Sequence, residues 1–242
     1  TANITVDKVD NTFHECDYIF LCTPVERNVE YLKILKSIIK DDCIITDVGS
    51  VKTNIHEAVC SLDMESNFIG GHPLAGSEKT SYEFANDRLL ENAYYAITPT
   101  EMVEQIYIKE YTQIISDIGA IPIHITYQEH DRVVAAISHL PHIIASSLVN
   151  LVKHNDSESE YMKTIAAGGF KDITRIASSS PEMWEQICMT NNKNISEMQG
   201  EGAAAPSPLH PYLFRGTVTP PLAGVPGGDS RCSRSRSTRS CS

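Results

Sequence analysis

What this 242-residue chain has little of narrows the field before any motif is read. Its seven cysteines, at positions 16, 22, 43, 60, 188, 232 and 241, form no C-x-x-C pair and no regular spacing. That argues against a disulfide framework and against a thiolate metal cluster. Several lie in apolar runs, as buried thiols of a reducing compartment do. Basic residues are outnumbered, 20 against 31 acidic ones, and a net charge of −11 argues against a nucleic-acid or anionic-membrane surface over most of the chain. No signal peptide is read at the start, and no stretch reads as long and apolar enough to span a bilayer. The expectation is a soluble, cytoplasmic protein with neither a membrane nor a nucleic acid as partner. From Gln199 onward hydrophobic periodicity is lacking as well. Residues 199–242 are rich in Pro, Gly, Ser and Ala, end in SRCSRSRSTRSCS, and cannot offset their chain entropy by burial. They hold five arginines against Glu201 and Asp229, a local balance of +3 that leaves −14 on residues 1–198. An Arg/Ser run suits an RNA or acidic partner. Because it breaks off a helical pattern in mid-course, it reads better as a low-complexity, disordered tail of non-native or misread sequence.

Where apolar residues are plentiful they come in short runs. Residues 17–25 (DYIFLCTPV), 43–48 and 68–71 read as buried strands followed by loops, 94–98 as a fourth strand ended by Pro99, and 121–125 as a fifth. Residues 26–39, 52–60 and 101–118 carry helical patterns between them. Strands alternating with helices at these intervals imply a parallel α/β sheet. After Tyr127 the strand signals stop. Residues 128–153 read as one long helix kinked at Pro141, where a backbone donor is missing. Residues 158–167, 171–178 and 181–193 continue as helices, with Gly168-Gly169 as a breaker. The organisation expected is an α/β domain over 1–125, a helical domain over 126–198 and the tail over 199–242.

The chemistry gathers in a few stretches. FIGGHPLAGSE, residues 68–78, runs from a strand through Gly70-Gly71 into His72, with Pro73 stiffening the turn behind it. A histidine at the tip of a glycine-flanked loop is placed to exchange a proton with a substrate near neutrality. Taken alone, it reads more simply as a turn histidine. Thr23-Pro24-Val25 and Gly49-Ser50 follow the carboxyl ends of two strands, the edge where open α/β sheets bind ligands. In HDRVVAAISHLPH, residues 130–142, helical spacing puts Asp131, Ser138 and His142 on one face. His139 and His142 form an H-x-x-H pair. Yet His130 falls on the opposite face from His139, Pro141 disturbs the turn, and no cysteine is near, so no metal site is expected. Capping and core-edge histidines on an interface helix are the plainer alternative. Lys171 and Arg175 sit four apart on one helix face after Gly168-Gly169. Two such cations suit a carboxylate, Arg175 in the bidentate manner. Otherwise Arg175 pairs with Asp172 on the surface. Trp184, the single tryptophan, reads as a packing or interface anchor.

Four motifs in order, DVGSVK (47–52), GGHPLAGSE (70–78), HDRVVAAISHLPH (130–142) and AAGGFKDITRIASSSPEMW (166–184), resemble the prephenate dehydrogenases, NAD(P)-dependent enzymes of tyrosine biosynthesis. The resemblance covers about residues 15–197. It implies a Rossmann-type domain followed by an all-helical domain that joins two subunits. It also implies NAD or NADP as cofactor, prephenate as substrate, and oxidative decarboxylation to 4-hydroxyphenylpyruvate with hydride transfer. By the same resemblance His72 takes the proton of the substrate hydroxyl and Ser50 holds that hydroxyl near the nicotinamide. His142 and Arg175 bind substrate, the arginine facing a carboxylate. Lys171, Ser77 and Glu78 are pocket residues, and Thr23, Pro24 and Val25 form a loop beside the cofactor. Residues 1–20 lack the βαβ unit with G-x-G-x-x-G on which the family builds its pyrophosphate cradle. The chain therefore reads as an N-terminally truncated member with an incomplete Rossmann-type parallel sheet, Ile19 and Leu21 facing a gap, and weak binding of NAD. The alternatives are an arogenate dehydrogenase, a non-catalytic dimerisation remnant, and a metal-dependent hydrolase on the histidine-rich helix.

Overall fold

The computed structural model describes residues 5–76 and 85–199. Ser77, Glu78 and, apart from Gln199, the expected tail lie outside them. Five strands, β1 (Tyr18–Leu21), β2 (Ile44–Asp47), β3 (Phe68–Pro73), β4 (Tyr94–Pro99) and β5 (Ile121–His124), form one sheet in the order β1-β2-β3-β4-β5. The pleat sends neighbouring side chains to opposite faces. Ile45 and Phe68 join Ile19 and Leu21 under helices α1 (Val25–Leu35) and α2 (Thr53–Ser61), against Leu32, Ile55 and Val59. Ile44 and Ile69 turn the other way and join Tyr95, Ile97, Tyr111 and Ile115 under α3 (Gln105–Asp117). Burial on both faces is why β2, β3 and β4 read as continuous apolar runs.

Two expectations about the sheet are corrected. It is mixed rather than all parallel, because β3 and β4 pair antiparallel, with Ile69 opposite Pro99 and His72 opposite Ala96, while the other pairs are parallel. A parallel crossover needs a helix to carry the chain across the sheet, and none lies between β3 and β4 among the described residues. Nor do Ile19 and Leu21 face a gap: each is only 6% exposed. Side chains leave a strand above and below the sheet, so the open edge of β1 exposes backbone groups and not these two residues.

The helical unit opens with α4 (Tyr127–Val134), capped by the Thr126 hydroxyl accepting from the Glu129 amide at 3.2 Å. A π-helical turn, Ala135–His139, carries it directly into α5 (Leu140–Asn155). A wider turn lies just before Pro141, where the kink is expected. In that turn the Leu140 amide reaches back to the Ala135 carbonyl, which makes room for a residue that cannot donate and would crowd the preceding turn. The rod Tyr127–Asn155 spans 29 residues, and an 18-residue window within it has a mean hydropathy of 1.4. By length and composition it is apolar enough to cross a bilayer, which corrects the reading that no such stretch exists. Its inward face nonetheless carries His130, Asp131, His139 and His142, all buried in the protein.

The chain continues as α6 (Tyr161–Thr164), α7 (Gly168–Thr174) running into a 3-10 turn Arg175–Ser178, α8 (Pro181–Thr190) and α9 (Asn192–Met198). Gly168 and Gly169 open α7 rather than break a helix. In a first turn the amides lack helical partners anyway, so glycine costs little there. The core of this unit is small: Ala135, Ile143, Cys188 and Ile195, with Trp184 against them. Outside it Ile137, Ile144 and Leu151, seven apart along the rod, are 68%, 50% and 60% exposed.

Candidate active site

The site is built at the carboxyl ends of β1 and β2. β2 ends in Asp47, and Lys52 follows five residues later; both side chains are fully buried. Asp47 accepts hydrogen bonds from the Lys52 ammonium, the Gly49 amide (2.9 Å) and the Gly71 amide (3.2 Å), while Lys52 also donates to the Gly71 carbonyl at 2.7 Å. Burial lowers the Lys52 pKa, opposed by the carboxylate beside it. The pair clips the loop after β2 to the strand that carries His72. Gly71 is required there, since a Cβ would sit 2.7 Å from both the Asp47 carbonyl and the Tyr111 hydroxyl. At Gly49 a Cβ would lie 3.0 Å from Val25 Cγ2, so the loops after β1 and β2 abut. Ser50 sits in the second of these loops. In the first, Thr23 donates to Asn28 Oδ1 at 2.6 Å, Pro24 precedes α1 and Val25 opens it.

His72 is a strand residue and not the tip of a loop, because β4 pairs as far as Pro73 opposite Tyr95. That fixes its backbone and aims its ring at α4. His72 Nδ1 lies 2.9 Å from His130 Nε2, and His130 Nδ1 lies 2.8 Å from Asp131 Oδ1. The Asp131 carboxylate also accepts from the amides of Lys52 and Thr53, both at 2.8 Å, and from the Thr53 hydroxyl at 2.6 Å. A residue 78 positions away thereby caps α2, where an anion is favoured by the exposed amides and the helix dipole. Burial raises the Asp131 pKa, but the hydrogen bonds from His130, Thr53 and the Lys52 amide outweigh it and the net shift is downward. Burial first, then the Lys52 charge and the neighbouring His130 and His139, hold His72 well below the ordinary imidazole value. His72 is therefore neutral near pH 7.

The π turn changes which residues face inward. Ser138 was expected beside Asp131 and His142, but one extra residue in the turn moves His139 to the buried position and leaves Ser138 at the edge. His139 Nδ1 meets Asn191 Nδ2 at 3.0 Å, and the same Asn191 nitrogen donates to the Asp131 carbonyl at 2.8 Å. The His142 ring stacks on Trp184 with centroids 3.6 Å apart and planes 6° from parallel, and His139 meets the same indole edge-on at 6.0 Å. Burial, above all, pushes the pKa of His139 and His142 down to about 4. Among the described residues His142 Nδ1 and Trp184 Nε1 are the buried side-chain polar atoms with no hydrogen-bond partner. Lys171 and Arg175 stay outside the buried cluster, exposed on the segment that packs against α5. No group of three or more His, Cys, Asp or Glu among the described residues is arranged for a metal. His130 and Asp131 had no role assigned from the sequence. The available signal was the His-Asp pair in the first turns of a helix, but their partners lie 58 and 78–79 residues away.

Comparison with known proteins bears on this cluster as a whole. Residues 2–124 match the family described as prephenate dehydrogenase, nucleotide-binding domain, and residues 126–208 match prephenate dehydrogenase, dimerization domain. The chain is 39% identical over 183 residues to the prephenate dehydrogenase of Bacillus subtilis (strain 168), covering 75% of this chain and 49% of that protein. Among solved structures it resembles the prephenate dehydrogenase of A. aeolicus in complex with hydroxyphenyl propionate and NAD+, with a TM-score of 0.72 and 34% identity. That likeness covers 77% of this chain and 65% of the other. The arogenate dehydrogenase of Synechocystis is similar with a TM-score of 0.69 and 30% identity, over 78% of this chain and 68% of that one. The chain thus spans about half the length of the curated prephenate dehydrogenases it matches.

Proposed function

Because this chain belongs to the prephenate dehydrogenase family, we propose that its site carries out the oxidative decarboxylation of prephenate to 4-hydroxyphenylpyruvate, with NAD as hydride acceptor. The observation that carries the reading is His72, a neutral imidazole with Nδ1 engaged by His130 and Nε2 left to meet a substrate hydroxyl. As hydride leaves the carbinol carbon, the hydroxyl becomes a developing carbonyl. A neutral imidazole in hydrogen-bond reach lowers that barrier by taking the proton. Ser50, in the loop clipped by the Asp47–Lys52 pair, steadies the same hydroxyl. Loss of CO2 makes the ring aromatic and draws the reaction forward.

The rest of the assignment follows charge and fit. A doubly anionic substrate meets Lys171 and Arg175, with Ser77 and Glu78 assigned to the same pocket. The stacked His142 and Trp184, whose buried nitrogens lack partners, suit a ligand that brings hydrogen-bonding oxygens. The abutting loops at Thr23-Pro24-Val25 and Gly49-Ser50, at the carboxyl ends of a parallel strand pair, fit the nicotinamide end of NAD. When bound, that group would supply the redox chemistry. NADP in its place, a role in tyrosine biosynthesis and a cytoplasmic location belong to the same reading. The five described cysteines, all free thiols, support a reducing compartment. A homodimer through the helical unit is supported by the stripe Ile137, Ile144 and Leu151, which a second copy would cover.

Arogenate is the competing substrate, and the Synechocystis likeness keeps it in view. Formation of reduced cofactor by the full-length protein, with prephenate and arogenate in parallel, tests the proposal. Turnover of prephenate at the higher kcat/KM is expected. Turnover of arogenate alone, or of neither, would overturn it.

A further inference from the structure

We infer that His130 and Asp131 are positioning residues that hold His72 in the one tautomer able to act as a base. The inference rests on the proposed role of His72. It begins from the carboxylate. Asp131 is enclosed by donors, two amides and a hydroxyl besides His130, and a carboxylate in such a shell accepts only. The His130 nitrogen facing it, Nδ1, must therefore carry the proton. With His130 as the uncharged ring, one nitrogen donates and the other accepts, so its Nε2 keeps a lone pair. That lone pair faces His72 Nδ1 at 2.9 Å, and the contact is a hydrogen bond only if His72 Nδ1 carries a proton. His72 Nε2 is thereby the bare nitrogen. The chain of donors, from His72 Nδ1–H to His130 and from His130 Nδ1–H to Asp131, runs one way and ends on a fixed anion.

Two features make the direction hard to reverse. His130 is 2% exposed and Asp131 is fully buried, so water cannot substitute for either contact. Asp131 is also tied to the first turn of α2, so its position is set by the sheet unit and not by α4 alone. The charged and titratable groups around His72 are Lys52 from the loop before α2, and His130 and His139 from the rod, with Asp47 paired to Lys52 and Asp131 behind His130. The arrangement orients an imidazole by a buried acceptor and a carboxylate, as in the triad of serine proteases, but with a second histidine interposed.

The test substitutes His130 and reads the His72 tautomer directly by nitrogen NMR on histidine-labelled full-length protein, alongside kinetics. Wild type should show His72 protonated on Nδ1 alone. In His130→Leu the acceptor is gone and an Nδ1–H would be buried without a partner, so the proton should move to Nε2. The kcat should then drop about 10–100-fold with KM little changed. His130→Gln, whose amide oxygen can accept the same proton, should recover part of the rate. If His130→Leu does not fold, Asp131→Asn takes its place, since it keeps an oxygen for the α2 amides but no longer enforces the His130 tautomer. A His72 proton that stays on Nδ1 in these variants overturns the inference, as does a shifted proton with an unchanged kcat. The tautomer signal needs no substrate. Inactive wild-type protein with a clean Nδ1–H signal would therefore count against the proposed reaction and leave the orientation of His72 standing.

Discussion

The two walls of the site are built on different plans. On the wall made by β2, α2, β3 and α4, Asp47, Lys52, His72, His130 and Asp131 are bound to one another and to backbone amides within the fold. On the wall made by α5 to α8, His142 Nδ1 and Trp184 Nε1 are buried without partners, and the Lys171 and Arg175 residues are exposed. The first wall is finished without a ligand. The second leaves two buried nitrogens unpaired. Such a division suits a site where the proton acceptor must be oriented in advance while the anchoring charges take hold as substrate arrives.

Acid should have the largest effect, because both walls bury neutral imidazoles. His56, which stacks on Tyr127 at 4.5 Å, and His139 and His142 have pKa values lowered from 6.5 to about 4, mainly by burial. The unfolded chain binds protons at these residues as pH falls through 6.5, and the folded chain does not until about 4. Their stability contribution is thus fully present above 6.5 and is lost between there and about 4, on the order of 3 kcal/mol for each residue. Denaturant melts at pH 7 and pH 5 check this, and equal midpoints would contradict it.

Lys52→Met strikes the finished wall alone. It strands the Asp47 carboxylate in the interior, and a loss of about 3–5 kcal/mol is expected in urea unfolding. A loss below about 1 kcal/mol would mean that the ion pair does not hold β2 to β3. Gly71→Ala should come next, at about 1–3 kcal/mol, because its Cβ would meet backbone and the Tyr111 hydroxyl at 2.7 Å. On the open wall the pattern should invert. Arg175→Ala should leave stability within about 0.5 kcal/mol, yet raise KM by the equivalent of about 2–3 kcal/mol through loss of a charge-assisted hydrogen bond to substrate. An unchanged KM would remove Arg175 from the pocket.

The difference between the walls also governs how much was legible in the sequence. Strands and the helices between them could be read because runs such as 43–48 are buried on both faces and those at 26–39 on one. The antiparallel turn into β4 could not be read, since residues 94–98 have the same apolar pattern whichever way they pair. His72 was found from its glycine-flanked motif, although its place in a strand depends on β4, more than 20 residues away. The π turn hid the inward face of the rod. A regular helix puts Ser138 beside Asp131, and only the wider turn brings in His139. The bonds that orient His72 join residues 58 to 79 positions apart, and no local spacing announces such a contact. Lys171 and Arg175 are assigned to substrate by resemblance, because two cations four apart on an exposed helix face have no spacing that tells a binding pair from a surface one.

The account turns on His72 as a neutral base, and the dependence of kcat/KM on pH for wild type and His72→Asn tests it most directly. Wild type should hold its rate down to a pH below 6.5 and then lose it as His72 takes a proton. His72→Asn should be slower by about 10²–10⁴ at neutral pH and should lack that acid limb. A variant that keeps both the rate and the limb would show that His72 does not take the proton.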